Sequence, residues 1–221
     1  MLKLVLKQLK LNKIDAIQAS TLAWMELPYD YIIGVDEVGR GCLAGPVVAS
    51  SVVFTKATSS SWSTFRDSKT LSEIKRNELS TKIQKEHVHS LGWCDQSEID
   101  EINILKASLL AMKRSIDKLN LPESASKVVL VDGNQFIGDL PGYDQIAIVK
   151  GDLWISLISA ASIVAKVHRD TLMKDYETQY PGFGFSEHKG YPTQGHKDAI
   201  ASLGVTTIHR KSFRGVKEHV L

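Results

Sequence analysis

The stretch YIIGVDEVGRGCLAGPVVASSVVF, residues 31–54, decides the fold of this chain. Its first part is apolar and rich in β-formers, and it ends at Asp36 and Glu37. Its last part, residues 47–54, is again apolar and β-branched, and a glycine-rich segment joins the two parts. Two such runs on either side of a turn-forming segment predict neighbouring β-strands, with a pair of carboxylates at the end of the first strand.

Three further runs are predicted to be strands. Residues 87–93 alternate weakly between apolar and polar, whereas residues 127–133 and 146–152 contain apolar runs without alternation. Uninterrupted apolar runs are typical of strands that are covered on both faces of a sheet. The last two runs reach an acid beside a glycine, Asp132 in one and Asp152 in the other.

Three other stretches have the features of helices. Ser97 and Asp100 predict a capping box for a helix whose apolar residues recur every three or four positions. A second helix is predicted over residues 155–167, and Thr193 is expected to cap a last helix that stops at Gly204. Strands followed by alternating helices and strands predict an α/β domain with a mixed central β-sheet flanked by helices.

The chain has 221 residues and a formal net charge of +2, which suits one large globular domain. We predict an N-terminal extension over residues 1–30, with lysines at helical spacing, and one domain over residues 31–221 with a helical C-terminal part. The longest uncharged run considered, thirteen residues at 153–165, is too short to cross a membrane. Two cysteines cannot build a disulfide framework, which suits a reducing compartment, so we expect a cytoplasmic protein. We also expect the protein to be a monomer.

Carboxylates end three of the predicted strands: Asp36 with Glu37, Asp132, and Asp152. A single acid at a strand end more often marks the point where the chain meets solvent, but three together indicate a shared site. Clustered acids without histidine or cysteine favour Mg²⁺ or Mn²⁺. Because neighbours on a strand point to opposite faces, Asp36 and Glu37 can share this site only if the strand bends or ends there.

Other chemistries lack their motifs, since GxxxxGK[ST], HExxH and GxSxG are all absent. Asp170 is not predicted to join the acidic site. If it lay in a helix that began at Asp152, eighteen residues would place the two about 27 Å apart. Asp170 is instead expected to pair with Lys166 at i,i+4 spacing.

The segment GVDEVGRGCLAGPVVAS, residues 34–50, resembles the signature of the bacterial ribonuclease HII family. The resemblance covers about residues 32–213, and its further blocks follow in order: DSKTLS at 67–72, EIDEINILKASLLAM at 98–112, VDGN at 131–134, KGD at 150–152, SAASIVAKVHRD at 159–170, YPGFGFSEHKGYPT at 180–193 and HRKSF at 209–213. It implies a ribonuclease H-like fold and a nucleic-acid substrate, either an RNA–DNA hybrid duplex or DNA with embedded ribonucleotides. Cleavage is expected on the 5′ side of a ribonucleotide, with 3′-hydroxyl and 5′-phosphate products.

The same resemblance assigns Asp36, Glu37, Asp132 and Asp152 as the catalytic acids that bind Mg²⁺ or Mn²⁺. It also implies that Tyr191 stacks on the sugar after the ribonucleotide and contacts the 2′-hydroxyl. Glycines allow a backbone to approach a sugar-phosphate closely, and cationic side chains bind phosphate. The predicted substrate-binding residues are Gly39, Arg40, Gly41, Tyr191, Lys69, Lys166, Arg169, His188 and Lys189.

Three alternatives remain at this stage. Ribonuclease HIII shares the catalytic scheme but carries an extra N-terminal domain and usually a lysine in the glycine loop, where this chain has Arg40. The others are a nucleic-acid-binding protein without activity and a metal-dependent phosphatase of small molecules. Trp154 departs from the family pattern and is expected to crowd Asp152, and Arg214-Gly215 puts the C-terminal path in doubt.

Overall fold

The structure is a computed structural model that describes residues 27–55, 58 and 71–220. The prediction for Lys69 and most of the proposed N-terminal extension therefore lie outside the described residues. The domain boundary at residue 30 stays a prediction. Within the described part of the chain, no helix is both long and apolar enough to cross a membrane.

A five-stranded mixed sheet forms the centre of the described chain. Its strands are β1 Tyr31–Val38, β2 Val47–Phe54, β3 His89–Cys94, β4 Lys127–Asp132 and β5 Asp144–Ile148. They lie in the order β3-β2-β1-β4-β5. β2 is antiparallel to both β1 and β3, whereas β4 is parallel to both β1 and β5. The predicted mixed sheet is confirmed.

Helices cover both faces of this sheet. They are α1 Glu73–Glu86, α2 Gln96–Ile102, α3 Ile104–Asp117, α4 Gly151–Trp154, α5 Ser156–Gln179, α6 Phe185–His188 and α7 Gln194–Leu203, with a 3₁₀ turn at Lys217–His219. The apolar cluster on one face contains residues of α5, and the cluster on the other face contains residues of α3. The sheet is thus a central layer between two helical layers.

Two glycines allow the sheet and the helices to approach closely. A Cβ atom at Gly34 of β1 would lie 2.1 Å from the carbonyl oxygen of Leu157 in α5. A Cβ atom at Gly92 of β3 would lie 2.2 Å from the carbonyl oxygen of Ala111 in α3. Both distances are shorter than van der Waals contact, so a larger residue at either position would push the layers apart.

The C-terminal helices pack on the glycine-rich segment between β1 and β2. Leu43 and Ala44 from that segment share an apolar cluster with Met173, Phe185 and Ile200. Ala44 also forms an isolated antiparallel bridge with His209. The C-terminal helical part predicted from the sequence therefore supports the loop that follows the first two acids.

The predicted helix at the Ser97–Asp100 capping box differs from the observed one. Asp95 and Glu98 form the actual capping box, at the start of α2. Asn103 then interrupts the helical run, with φ +69°, and its side chain accepts hydrogen bonds from the amides of Leu105 and Lys106 to start α3. One predicted helix is thus two, because Asn tolerates the left-handed backbone and caps well.

Asp152 was predicted at the end of a strand over residues 146–152, and this prediction was wrong. β5 ends at Ile148, and Lys150 has a left-handed backbone with φ +58° that turns the chain into α4. Asp152 therefore lies in the first turn of a short helix. The next helix, α5, is also longer than predicted and runs to Gln179, whereas the predicted cap Thr193 and stop Gly204 of α7 are confirmed.

Candidate active site

The first acids converge where β1 and β4 separate. The last parallel pair between these strands is Val35 with Val131, and Asp36 and Asp132 come next on each strand. β1 continues beyond this point only alongside β2. Asp36, Glu37 and Asp132 each place one carboxylate oxygen so that the three oxygens lie within 4.8 Å of one another.

The two consecutive acids reach this point from opposite faces of the sheet. Ile32 packs in the cluster on the α5 face and Val35 in the cluster on the α3 face, so alternation directs Asp36 towards α5 and Glu37 towards α3. The amide of Glu37 donates to Asp36 Oδ1 at 2.8 Å. Both carboxylates can meet Asp132 because β4 no longer pairs with β1 here.

Asp152 lines the same cleft as the three converging acids. Its backbone amide donates to Asp132 Oδ1 at 3.3 Å, and only 5% of Asp152 is exposed. It lies outside the group whose oxygens are within 4.8 Å. Trp154, which was expected to crowd Asp152, packs against the apolar cluster that contains Leu157.

The carboxylates are crowded and poorly hydrated. Burial, followed by the negative charges of Glu37 and Asp132, raises the pKa of Asp36 well above its ordinary value, while a hydrogen bond from Ser162 opposes the change. Burial also raises the pKa of Glu37, against the nearby Arg40, whose Nη1 lies 3.1 Å from Glu37 Oε1. An oxygen-only donor set with unfavourable carboxylate charge fits a hard divalent cation such as Mg²⁺ or Mn²⁺.

A cleft of about 240 Å³ opens beside the acids. Its lining contains residues 36–41, Asp132, Asp152, Ser162, Lys166 and Tyr191. Tyr191 is 40% exposed, and Lys166 Nζ lies 5.9 Å from the centre of its ring. The same Nζ donates to Asp170 Oδ1 at 2.7 Å, which confirms the predicted i,i+4 pair.

The side chain of Arg169 is buried inside the protein and does not line the cleft, so it differs from the predicted phosphate contact. It is fully buried, and its guanidinium donates to the carbonyl oxygens of Pro46 at 3.0 Å, Ala44 at 3.0 Å and Lys189 at 2.8 Å. A Cβ atom on Gly39 would lie 2.3 Å from Arg169 Nε, so this glycine is needed to admit the side chain. Arg169 contacts the protein backbone instead of the cleft.

His188 and Lys189 also serve the protein backbone. His188 Nε2 donates to the carbonyl of Phe183 at 2.8 Å, and its Nδ1 accepts from the amide of Gly190 at 3.1 Å. Lys189 Nζ donates to the carbonyl of Ser186. These contacts shape the turn before Tyr191. Both ring nitrogens of His188 have partners within the protein, which differs from its predicted phosphate contact. The ammonium of Lys189 has further protons to donate, so its predicted phosphate contact stays a prediction.

Sequence reasoning missed two residues that support the site. Ser162 supports Asp36, and the fully buried Arg210 donates to the carbonyls of Gly45 at 2.8 and 3.0 Å and of Arg40 at 2.9 Å. Both lie in blocks that resemble the ribonuclease HII family. The residue type alone gave no signal of these roles, since an arginine in a short polar motif ordinarily indicates a surface position.

Comparisons of the sequence with protein families and with curated proteins agree on one family. A family model described as Ribonuclease HII matches residues 33–216. The curated ribonuclease HII of Geotalea uraniireducens is 48% identical over 194 residues, which is 87% of this chain and 86% of that protein. That of Vibrio parahaemolyticus is 46% identical over 207 residues, covering 90% and 95%.

Solved structures share the fold. Ribonuclease H2 from Pyrococcus horikoshii OT3 has a TM-score of 0.67 at 24% identity, covering 85% of this chain and 96% of that one. A ribonuclease HIII described as Bst-RNase HIII in complex with Mn²⁺ has a TM-score of 0.68 at 18% identity, covering 90% and 71%. At these identities the likeness supports the ribonuclease H-like fold alone.

Proposed function

The chain belongs to the ribonuclease HII family of endonucleases, which act on the RNA of RNA–DNA hybrids, and we propose that it also nicks DNA on the 5′ side of embedded ribonucleotides. The observation that carries this proposal is the convergence of Asp36, Glu37 and Asp132 within 4.8 Å, in a cleft also lined by Arg40 and Tyr191. The products would be 3′-hydroxyl and 5′-phosphate ends.

The four acids at the cleft would hold the divalent ions on which this family depends. Asp36, Glu37, Asp132 and Asp152 offer only oxygen ligands, as Mg²⁺ and Mn²⁺ prefer, and we propose either ion as the cofactor. When bound as a pair, such ions activate a water and stabilise the leaving oxygen of a phosphodiester. All four acids at one cleft argue against a binding protein without activity.

The surrounding residues keep these acids in place. Ser162 donates to Asp36, the amide of Asp152 donates to Asp132, and Arg40 holds Glu37 through a 3.1 Å ion pair. Fixed hydrogen bonds of this kind hold ligands in the productive orientation before substrate arrives.

The glycine segment and Tyr191 are the proposed readers of the ribonucleotide. Gly39, Arg40 and Gly41 line the cleft beside the acids. We propose that a backbone amide of this segment donates to the 2′-hydroxyl, the group that distinguishes RNA from DNA. Lys166 adds a positive charge beside Tyr191, as a phosphate contact requires.

The test is a cleavage assay on otherwise identical duplexes with no ribonucleotide, one, or a continuous RNA strand, in Mg²⁺, Mn²⁺ or EDTA. We expect cuts at the phosphate 5′ of the lone ribonucleotide, no cuts in all-DNA, and no activity in EDTA. Asp132→Asn is the inactive control. Cleavage of continuous RNA without cleavage at a lone ribonucleotide would refute the proposal.

A duplex substrate also separates this function from a phosphatase of small molecules. Phosphate contacts release counterions, so duplex affinity should fall steeply as salt rises. A phosphatase would show no salt-sensitive duplex binding. We propose a monomer that acts on DNA in the cytoplasm, and sedimentation of the free protein tests the monomeric state.

A further inference from the structure

The turn that carries Tyr191, residues 188–191, is tied down through three consecutive carbonyl groups. The carbonyl of Lys189 accepts from Arg169 at 2.8 Å, that of Gly190 accepts from the amide of Leu43 at 2.8 Å, and that of Tyr191 accepts from His196 Nδ1 at 2.9 Å. Leu43 belongs to the glycine loop, residues 39–46, and Arg169 of α5 also donates to carbonyls of that loop. The turn and the loop are therefore docked backbone to backbone.

Arg169 joins these two segments through one planar group. Its Nε and Nη2 donate to Pro46 and Ala44 of the glycine loop, and its Nη1 donates to Lys189 of the Tyr191 turn. Among the described residues, no carboxylate forms an ion pair with this guanidinium. Backbone carbonyls thus satisfy a fully buried charge, a costly arrangement unless the geometry that it imposes is needed.

Arg210 provides an internal comparison. It is equally buried, and its guanidinium also donates to carbonyls of the glycine loop, those of Arg40 and Gly45. None of these three bonds reaches the Tyr191 turn. The two arginines therefore share burial and the number of hydrogen bonds, and they differ in whether they connect the loop to the turn.

We propose that Arg169 is a positioning residue that sets the distance between the glycine loop and Tyr191, and that this distance determines selectivity for a lone ribonucleotide. The inference rests on the proposed function, in which the loop and Tyr191 read one ribonucleotide and its neighbour together. A lone ribonucleotide offers one 2′-hydroxyl in one register, so both elements must be correctly spaced. A continuous RNA strand offers a hydroxyl at every position, so altered spacing is better tolerated.

The test compares Arg169→Lys with Arg210→Lys on two substrates, a DNA duplex with one ribonucleotide and an RNA–DNA hybrid. Lysine keeps the charge but cannot bridge two segments with a planar fork. For Arg169→Lys we expect the ratio of kcat/KM on the first substrate to kcat/KM on the second to fall about tenfold, since small misplacements are costly in catalysis. For Arg210→Lys we expect both values to fall together, with the ratio unchanged.

The ratio separates positioning from stability, because a loss of folded protein lowers both rates equally. Gly190→Ala is a second variant that keeps both arginines. Its Cβ would lie 2.7 Å from the carbonyl oxygen of Ala44, at a position with φ +83°, so it should displace the turn from the loop. We expect the same fall in the ratio. If Arg169→Lys does not fold, Gly190→Ala is the deciding variant, because it changes the spacing between the turn and the loop by another route.

Two failures can be told apart. Suppose that the wild-type protein cuts the lone ribonucleotide. If the ratio is then unchanged in the deciding variant, or changes equally in Arg210→Lys, the positioning role of Arg169 is overturned and the proposed function stands. If the wild-type protein does not cut a lone ribonucleotide at all, the proposed function falls and the inference falls with it.

Discussion

Replacing Asp36 with asparagine should stabilise the metal-free protein while it abolishes activity. The side chain is buried, and its carboxylate lies in a group of three whose oxygens are within 4.8 Å. At an effective dielectric constant of about 20, two unit charges at that distance repel by about 3 kcal/mol. Asparagine has the same shape, and its oxygen can still accept from the amide of Glu37.

Hydrogen bonds to Asp36 and the positive charge of Arg40 already relieve some of this repulsion, so we expect a net stabilisation of about 2 kcal/mol, or about 4–8 °C in Tm for a chain of this size. The sign follows from the pKa. Because the pKa of Asp36 is raised in the folded state, the folded protein binds this proton more tightly than the unfolded chain. The wild type therefore loses stability relative to the variant as the pH rises above 3.8, the ordinary carboxyl value.

Thermal unfolding followed by circular dichroism in EDTA, at pH 5 and pH 7.5, measures this difference. Glu123→Gln at an exposed position is the control for charge alone and should leave Tm unchanged. Added Mn²⁺ should raise the Tm of the wild type but not that of the Asp36 variant, because a ligand stabilises only the state that binds it. A variant no more stable than the wild type in EDTA, with the same response to Mn²⁺, would refute the reasoning.

Three further predictions concern separate parts of the molecule. Tyr191→Phe should lower kcat/KM at a lone ribonucleotide by about tenfold, since one hydrogen bond to the substrate is lost; unchanged rates on both mixed and all-RNA strands would contradict the recognition role. Gly34→Ala should cost about 3 kcal/mol of unfolding free energy because of its 2.1 Å contact with a helix carbonyl, whereas Gly138→Ala, with open space around it, should cost little; equal Tm values would refute this. Burial lowers the pKa values of His196 and His209 to about 4. The free energy of unfolding is therefore highest above pH 6.5, and it falls towards pH 4 by about 1.4 kcal/mol per pH unit for each ring. His209→Asn should remove about half of that dependence in urea unfolding curves, and an unaltered slope would exclude the neutral histidine pair as its source.

Apolar patterning was sufficient to predict the sheet and three of its acids. β2 was predicted to the residue, and β1 and β4 to within a few residues, because buried strands carry long apolar runs. The same reasoning misplaced Asp152, since the apolar run before it extends past the end of β5. A left-handed residue such as Lys150 leaves no pattern in the sequence, so the change from strand to helix was not visible.

The outcome for each predicted substrate-binding residue depends on whether its side chain is exposed at the cleft or buried. Arg40 and Tyr191 were predicted near the acids, and the structure brings both to the cleft. Arg169 was predicted as a phosphate contact but lies entirely inside the protein. Sequence shows which side chains are cationic, whereas the choice between solvent and backbone carbonyls depends on how distant segments pack.

The bridge between the glycine loop and the C-terminal part has a consequence for synthesis of the chain on the ribosome. The amide of Gly45 donates to Ile208, and the amide of Arg210 donates to Leu43, each at 2.8 Å. The acids at positions 36, 132 and 152 emerge well before these partners do. The glycine loop can therefore take its final position only after residues 208–210 have left the ribosome, when all of these acids are already present.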